Sequence, residues 1–168
     1  MRRVAILGCS GSGKSTLARR LSARTGLPAI HLDQHYWQPG WVQPAAADWQ
    51  ARAADLAAGE RWIIDGQYGS TLPARLARAD TVIYLDLPMP LCLARVLRRT
   101  IAGYGRSRAE MPEGCPERFD GEFLKYIWHY RRTHRPRMLA LVTGFPGDRM
   151  IFTRPADVDA WLGGIGPA

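Results

Sequence analysis

VAILGCSGSGKS, residues 4–15, sets a short apolar run against a glycine-rich turn that closes in lysine and serine. Gly8 to Ser15 is a full G-x-x-x-x-G-K-[S/T] match, and what flanks it is as informative as the match itself. Before it lies a run of strand length. After it, Lys14 to Thr25 reads as a helix with Leu17, Ala18 and Leu21 on one face, stopped by Gly26. The glycines let backbone N–H groups turn inward around anionic oxygens, and the helix N-terminus adds a favourable dipole. Gly8, Ser10, Gly11, Ser12, Gly13, Lys14, Ser15 and Thr16 are therefore the candidate phosphate-binding residues. Lys14 is placed to bridge β- and γ-phosphates and the Ser15 hydroxyl to hold Mg²⁺, so ATP and Mg²⁺ are the predicted cofactors. A dinucleotide-type G-x-G-x-x-G reading fails, because Thr16 stands where the third glycine belongs.

Outward from this loop the chain alternates. PAIHLD (28–33), WIID (62–65), TVIYLD (81–86) and RMIFT (149–153) read as further strands. Between them, Asp48 is a candidate N-cap for a helix in which Trp49, Ala53 and Leu56 share a face, closed by Gly59. A helix over about 90–102 puts Leu93, Leu97 and Ile101 on one side and Arg95, Arg98 and Arg99 opposite. Another runs from about Glu117 with Phe119, Phe123, Ile127 and Tyr130 in line, and Pro155 opens a last one around Val158 and Trp161. Such alternation predicts an α/β fold with a parallel sheet, helices on both faces and ligands beyond the carboxyl ends of the strands.

A length of 168 residues suits one core, so residues 1–168 are predicted to form a single domain. Its apolar runs, VAIL and TVIYL, fall far short of the ~20 residues a membrane helix needs. The opening MRRVAILGCSGSG starts like a signal peptide, but its apolar run ends after four residues, which argues against export. Cys9, Cys92 and Cys115 are odd in number and form no C-x-x-C pair, so a reducing cytoplasm is predicted. The net charge is +8, and residues 95–137 carry eleven Lys and Arg against five Asp and Glu. That excess fits a solvated basic face, a nucleic-acid surface or a cluster converging on phosphates.

The class of phosphate-loop protein narrows by exclusion. No NKxD-type guanine signature is present, and DGQYG places its glycine one residue too late for a DxxG switch. The chain is short for a typical AAA-type ATPase module and shows nothing like its arginine-finger region. Small-molecule kinases remain. HLDQHYWQPGW, WIIDGQY, ADTVIYLD, LCLARVLRR and GCPERFDGEFLKYIWHY, spread in order over residues 3 to about 140, resemble the adenylate-kinase-related proteins called DNA topology modulation protein, or FlaR-like. The broader likeness is to nucleoside monophosphate kinases. It implies a three-layer P-loop NTPase fold with a five-stranded sheet of order 2-3-1-4-5, ATP, Mg²⁺, phosphoryl transfer, an acceptor-side insertion over about 33–60 and a lid over about 103–118. The family's name implies an influence on DNA topology. Where its lid opens Arg-Pro-Asp, this chain has Arg-Ala-Glu, which leaves the role of Glu110 open.

In small kinases the acceptor enters after the second strand, where HLDQHYWQPGW lies. Asp33 is then placed to take the acceptor hydroxyl's proton or to hold Mg²⁺ through water. Tyr36, Trp37 and Trp41 either stack on a flat acceptor or cover the core beneath a flap. His31 and His35 have no partner pattern. Asp65, ending an apolar strand before glycine, is favoured for the metal over Asp86, which reads as a turn residue. Arg95, Arg106 and Arg108 are the candidate charge-stabilising groups, with Arg98 or Arg99 left to solvent. Arg131, Arg132, Arg135 and Arg137 serve an anionic acceptor or face solvent. The predicted activity is transfer of the γ-phosphoryl group of ATP to a small acceptor, favoured nucleoside or nucleotide. The rival is a nucleotide-dependent DNA-binding regulator, and no membrane partner is implied.

Overall fold

The computed structural model describes residues 1–166. Strand β1 (Arg3–Gly8) is central, and its side chains from Val4 onward are buried on both faces. The same holds for β3 (Trp62–Asp65) and β4 (Thr81–Leu85). Strands buried on both faces are those of a parallel sheet covered by helices on each side, which is why they read as unbroken apolar runs. The remaining strands are β2 (Ala29–His31) and β5 (Asp148–Phe152), at the two edges and less buried. All pairings are parallel, and the order is β2-β3-β1-β4-β5, as the resemblance implied.

Helix α1 (Lys14–Thr25) buries Leu17, Ala18 and Leu21 against the sheet and ends at Gly26, as its pattern predicts. The strand predicted over 28–33 stops at His31, because Leu32 begins a short helix, α2 (Leu32–Tyr36). Helix α3 (Ala46–Ala58) starts earlier than predicted. Its N-cap is Ala45, and Asp48 sits in the first turn, where a carboxylate suits the helix dipole without capping. Helices α4 (Leu72–Arg78) and α7 (Arg135–Thr143) were missed, being short and opened by prolines that read as breaks.

Helix α5 (Met89–Gly103) forms where predicted but is turned about its axis. Cys92, Val96 and Thr100 are buried, whereas Ile101 is 67% exposed. Both triplets have i, i+4 spacing and differ by one residue, so periodicity alone could not separate them. Helix α6 (Gly121–Thr133) starts four residues later than predicted, where the Asp120 carboxylate accepts from the Phe123 N–H at 3.0 Å. Phe119 lies outside it, exposed. Helix α8 (Pro155–Gly163) closes the fold beside β5. Among the described residues, no helix is long and apolar enough to cross a membrane.

Candidate functional site

Parallel register sets the site. Ile6 pairs with Asp65, and Asp65 with His31, so the carboxyl ends of β1, β3 and β2 open at one edge, directly below the glycine-rich turn. Gly11 takes φ +80° and lies so close to the Cys92 carbonyl that an added Cβ would overlap it. Only glycine lets the loop seat on the first turns of α5. The Lys14 ammonium donates to the Cys9 carbonyl at 2.9 Å, folding the lysine back over its own loop. Ser12 is buried with its Oγ unpartnered, which is the state of a hydroxyl suited to a phosphate oxygen. Ser10, Gly13 and Ser15 are partly accessible, and Thr16 is exposed. The hydrogen bond with Cys92, and then burial, push the Cys9 thiol up, so this loop cysteine keeps its proton and packs rather than reacts.

Asp65 is 4% exposed and fully engaged. One oxygen accepts from Ser15 Oγ at 2.6 Å, and the other meets His31 Nδ1 at 2.5 Å. That hydrogen bond raises the His31 pKa against the opposing effect of burial. Asp86 has a different partner. It makes a two-pronged ion pair with Arg135, Nε to Oδ1 and Nη2 to Oδ2 both at 2.7 Å. It is thus a buried anchor for α7 rather than a turn residue, and Arg135 is committed to it. A serine hydroxyl and one carboxylate at the mouth of a phosphate loop suit Mg²⁺, which keeps most of its water and takes its remaining ligands from phosphate. Among the described residues, no cluster of three or more His, Cys, Asp or Glu could hold a metal without such help.

In the stretch predicted to receive the acceptor, Asp33 Oδ1 accepts from Tyr68 OH at 2.6 Å. Burial first, then the Asp33 charge, pushes the Tyr68 phenol well above its ordinary value, so it stays a donor. Tyr68 stands at φ +29° and Trp41 at +65°, a strained region for aromatic residues. Tyr68 is held there by Arg75, a missed residue. Arg75 is 1% exposed, and its guanidinium donates to the carbonyls of Gly66, Gln67 and Tyr68. Burial lowers its pKa to about 10, so it stays charged at neutral pH. Within LPARLAR nothing marked it out.

The rings of residues 36–41 mostly pack on one another. Tyr36 contacts Trp37, Trp49 and Tyr68 with centroids 4.5–5.0 Å apart, and Trp37 meets Trp41 edge-on at 5.3 Å. Burial, then Arg52, lowers the His35 pKa.

The predicted arginines separate. Arg95 reaches the loop, donating to the Ser12 carbonyl at 3.3 Å. Arg106 does not. It is exposed and donates to Ala102 O at the end of α5. Arg108 pairs with Glu117, and so does Arg99, 3.0 Å from the same carboxylate oxygen, while Arg98 faces solvent. Arg131, Arg132 and Arg137 are exposed. In residues 103–118, the stretch that the resemblance implies is a lid, Met111, Cys115 and Glu117 are buried. Gly40 N–H donates to Gly114 O at 2.7 Å and Trp41 Nε1 to Pro116 O at 3.1 Å. Gln34 bonds Ala109 O, and Glu110 pairs with Arg19 of α1 at 2.7 Å. The segment is docked on the 34–42 region and on α1.

A five-stranded parallel sheet in this order, carrying this loop, is the fold of P-loop kinases. A family model described as AAA domain (AAA_18) matches residues 4–114, and the chain belongs to that family. That membership corrects the reading that set the AAA type aside on length and on its arginine-finger region. "Uncharacterized protein YqaC" of Bacillus subtilis (strain 168) is 32% identical over 111 residues, 62% of this chain, and the match spans 60% of that relative's length. Among solved structures, shikimate kinase from Acinetobacter baumannii in complex with shikimate superposes with a TM-score of 0.65 at 16% identity, over 98% of this chain and 90% of that one. An unliganded sugar kinase from Janibacter sp. HTCC2649 gives 0.56 at 19%, over 99% and 96%. Deoxyadenosine kinase from M.mycoides gives 0.51 at 16%, over 95% and 94%. At these identities the likeness is one of fold.

Proposed function

We propose that this chain is a P-loop kinase that transfers the γ-phosphoryl group of ATP to a hydroxyl of a small acceptor, favoured nucleoside or nucleotide. The observation that carries the reading is the Ser15–Asp65 contact at 2.6 Å at the mouth of the glycine-rich loop, with Asp33 beyond the adjoining strand end. Gly8, Ser10, Gly11, Ser12, Gly13 and Thr16 form the loop that receives the phosphates. Lys14 leaves the Cys9 carbonyl and swings to the β- and γ-phosphates. Ser15 and Asp65 hold Mg²⁺, Asp65 through water. Mg²⁺ supplies neutralisation of phosphate charge. Asp33, turned from Tyr68, accepts the acceptor's proton. Arg95 and Arg108 face charge that builds on the phosphoryl oxygens, and Arg106 joins them only if residues 103–118, read as the lid, rearrange.

A single 1–168 domain with an acceptor-side insertion at about 33–60, and kinship to the FlaR-like group, belong to the same proposal. The rival DNA-binding reading arose from the basic excess over 95–137. Arg99, Arg108 and Arg135 of that stretch are paired with internal carboxylates, which weakens it.

The test is an ADP-release screen of nucleosides, nucleotides, sugars, shikimate and other hydroxy acids with Mg-ATP. Release should rise with one acceptor class and disappear in Lys14→Ala, with ATP binding weakened at least about tenfold and the fold intact. Undiminished release by a folded Lys14→Ala protein would refute the loop assignment. Salt-sensitive retardation of random duplex DNA, with no acceptor found, would favour the rival.

A further inference from the structure

Two guanidinium groups in this structure share one buried carboxylate. Glu117 is 5% exposed, and its Oε1 contacts Nε of Arg99 at 3.0 Å and Nε of Arg108. Its Oε2 accepts from Thr100 Oγ1 at 3.1 Å. The backbone of Glu117 is fixed as well, donating to Arg106 O at 3.0 Å and accepting from Gly105 N–H at 2.9 Å. The carboxylate is therefore held from α5 through Thr100 and from the 103–118 segment through its own main chain. Neither Nε–H is aimed well enough for a hydrogen bond, so these contacts act by charge. Both use the Nε side. The Nη groups of Arg99 and Arg108 carry no protein hydrogen bond among the described residues.

Two positive charges against one negative leave an excess in a half-buried place. Burial first, and then the neighbouring Arg108, lower the Arg99 pKa, while the Asp33 charge lies near enough to act in the other direction. Arg99 lies one turn beyond Arg95 on α5, and Arg95 donates to the Ser12 carbonyl of the glycine-rich loop at 3.3 Å, so the excess sits one helical turn from the loop-contacting arginine. A phosphoryl group in transit spreads charge over its equatorial oxygens and suits paired guanidinium forks.

We propose that Glu117 is a positioning residue that holds Arg99 and Arg108 together as one clamp for the phosphoryl group in transit, an inference that rests on the kinase reading above. Without the carboxylate the two like charges separate, and the forks no longer converge. Arg99 thereby joins Arg108 as a phosphoryl-binding group.

The test needs no acceptor. Release of a fluorescent ADP (mant-ADP) with Mg²⁺ is timed with and without aluminium fluoride, a mimic of the transferring phosphoryl group. In the wild-type protein aluminium fluoride should slow release at least about tenfold. Glu117→Gln should keep mant-ADP affinity within about threefold yet lose the slowing, and adding Arg108→Ala should change it by less than about twofold, the non-additivity of a shared unit. Equal slowing in Glu117→Gln and wild type, or independent effects that multiply, would overturn the proposal. If Glu117→Gln does not fold, Arg99→Lys and Arg108→Lys carry the test. Each keeps its charge and loses a fork, and unchanged slowing in both overturns it. Normal mant-ADP binding with no slowing in the wild type overturns this inference alone. A wild type that binds no mant-ADP, or binds it equally after Lys14→Ala, overturns the kinase reading and this one with it.

Discussion

Asp33, Asp65 and Asp86 illustrate how one charge type is divided among roles by its neighbours. Asp65 touches the loop through Ser15, Asp33 is tied to Tyr68, and Asp86 is tied to Arg135. Asp65→Asn should therefore lower the Mg²⁺ dependence of mant-ADP binding about tenfold, read from titrations at several Mg²⁺ concentrations. Asp33→Asn should reduce turnover about a hundredfold and leave nucleotide affinity within about threefold. Asp86→Asn should leave both unchanged and cost about 2 kcal/mol of stability by denaturant unfolding, since it breaks a pair whose carboxylate is buried and whose guanidinium is partly exposed. A metal defect in the Asp86 variant and none in the Asp65 variant would reverse the assignment.

At the scale of elements, the amino-terminal end of the central strands is fastened by Asp80. Its carboxylate accepts from the backbone N–H groups of Arg2 and Arg3 at 2.9–3.1 Å and from Thr81 Oγ1 at 2.7 Å, joining the start of β1 to β4. Burial alone would raise its pKa, but the bonds from Thr81, Arg2 and Arg3 outweigh burial and lower it. A folded-state value below the unfolded one means stability that is present above the unfolded pKa of about 4 and lost as pH falls through the folded value. Asp80→Asn should melt about 2–4 °C below the wild type at pH 7, solvent screening keeping the effect small, with the gap closing towards pH 3. A gap that persists or widens in acid would contradict this account. The α5 helix carries a second lesson at this scale. Its sequence fits two apolar stripes, and the glycine-rich loop seated on Cys92 selects the less apolar one.

For the molecule as a whole, the position of residues 103–118 matters most. Their docking on 34–42 and α1 changes what nucleotide binding should do. The N–H groups of Gly105, Arg106, Met111 and Glu117 are hydrogen-bonded without any ligand, so they should exchange slowly in the free protein. Added Mg²⁺ with a non-hydrolysable ATP analogue should then alter exchange chiefly around 106–110, where Arg106 has to turn, and little at 114–118. Uniform fast exchange over 103–118 before nucleotide is added would mean the docked arrangement is a minor state.

What consecutive residues can encode, the chain displays openly. The loop at 8–15, the extent of α1, the positions of β1, β3 and β4 and the candidacy of Asp65 all follow from local pattern, because a turn needing glycine or a strand buried on both faces constrains neighbours in sequence. Short elements opened by proline, α4 and α7, have no comparable local signature. Pairings are another matter. Arg135 finds Asp86 forty-nine residues away, Thr100 and Glu117 meet across seventeen, and Arg75 turns back on the loop that precedes its own helix. Burial makes an unpartnered charge costly, so each of these groups must have an opposite charge or a carbonyl within reach. Which one it reaches depends on how α5, α7 and the 103–118 segment lie across the sheet, and that only the tertiary structure decides.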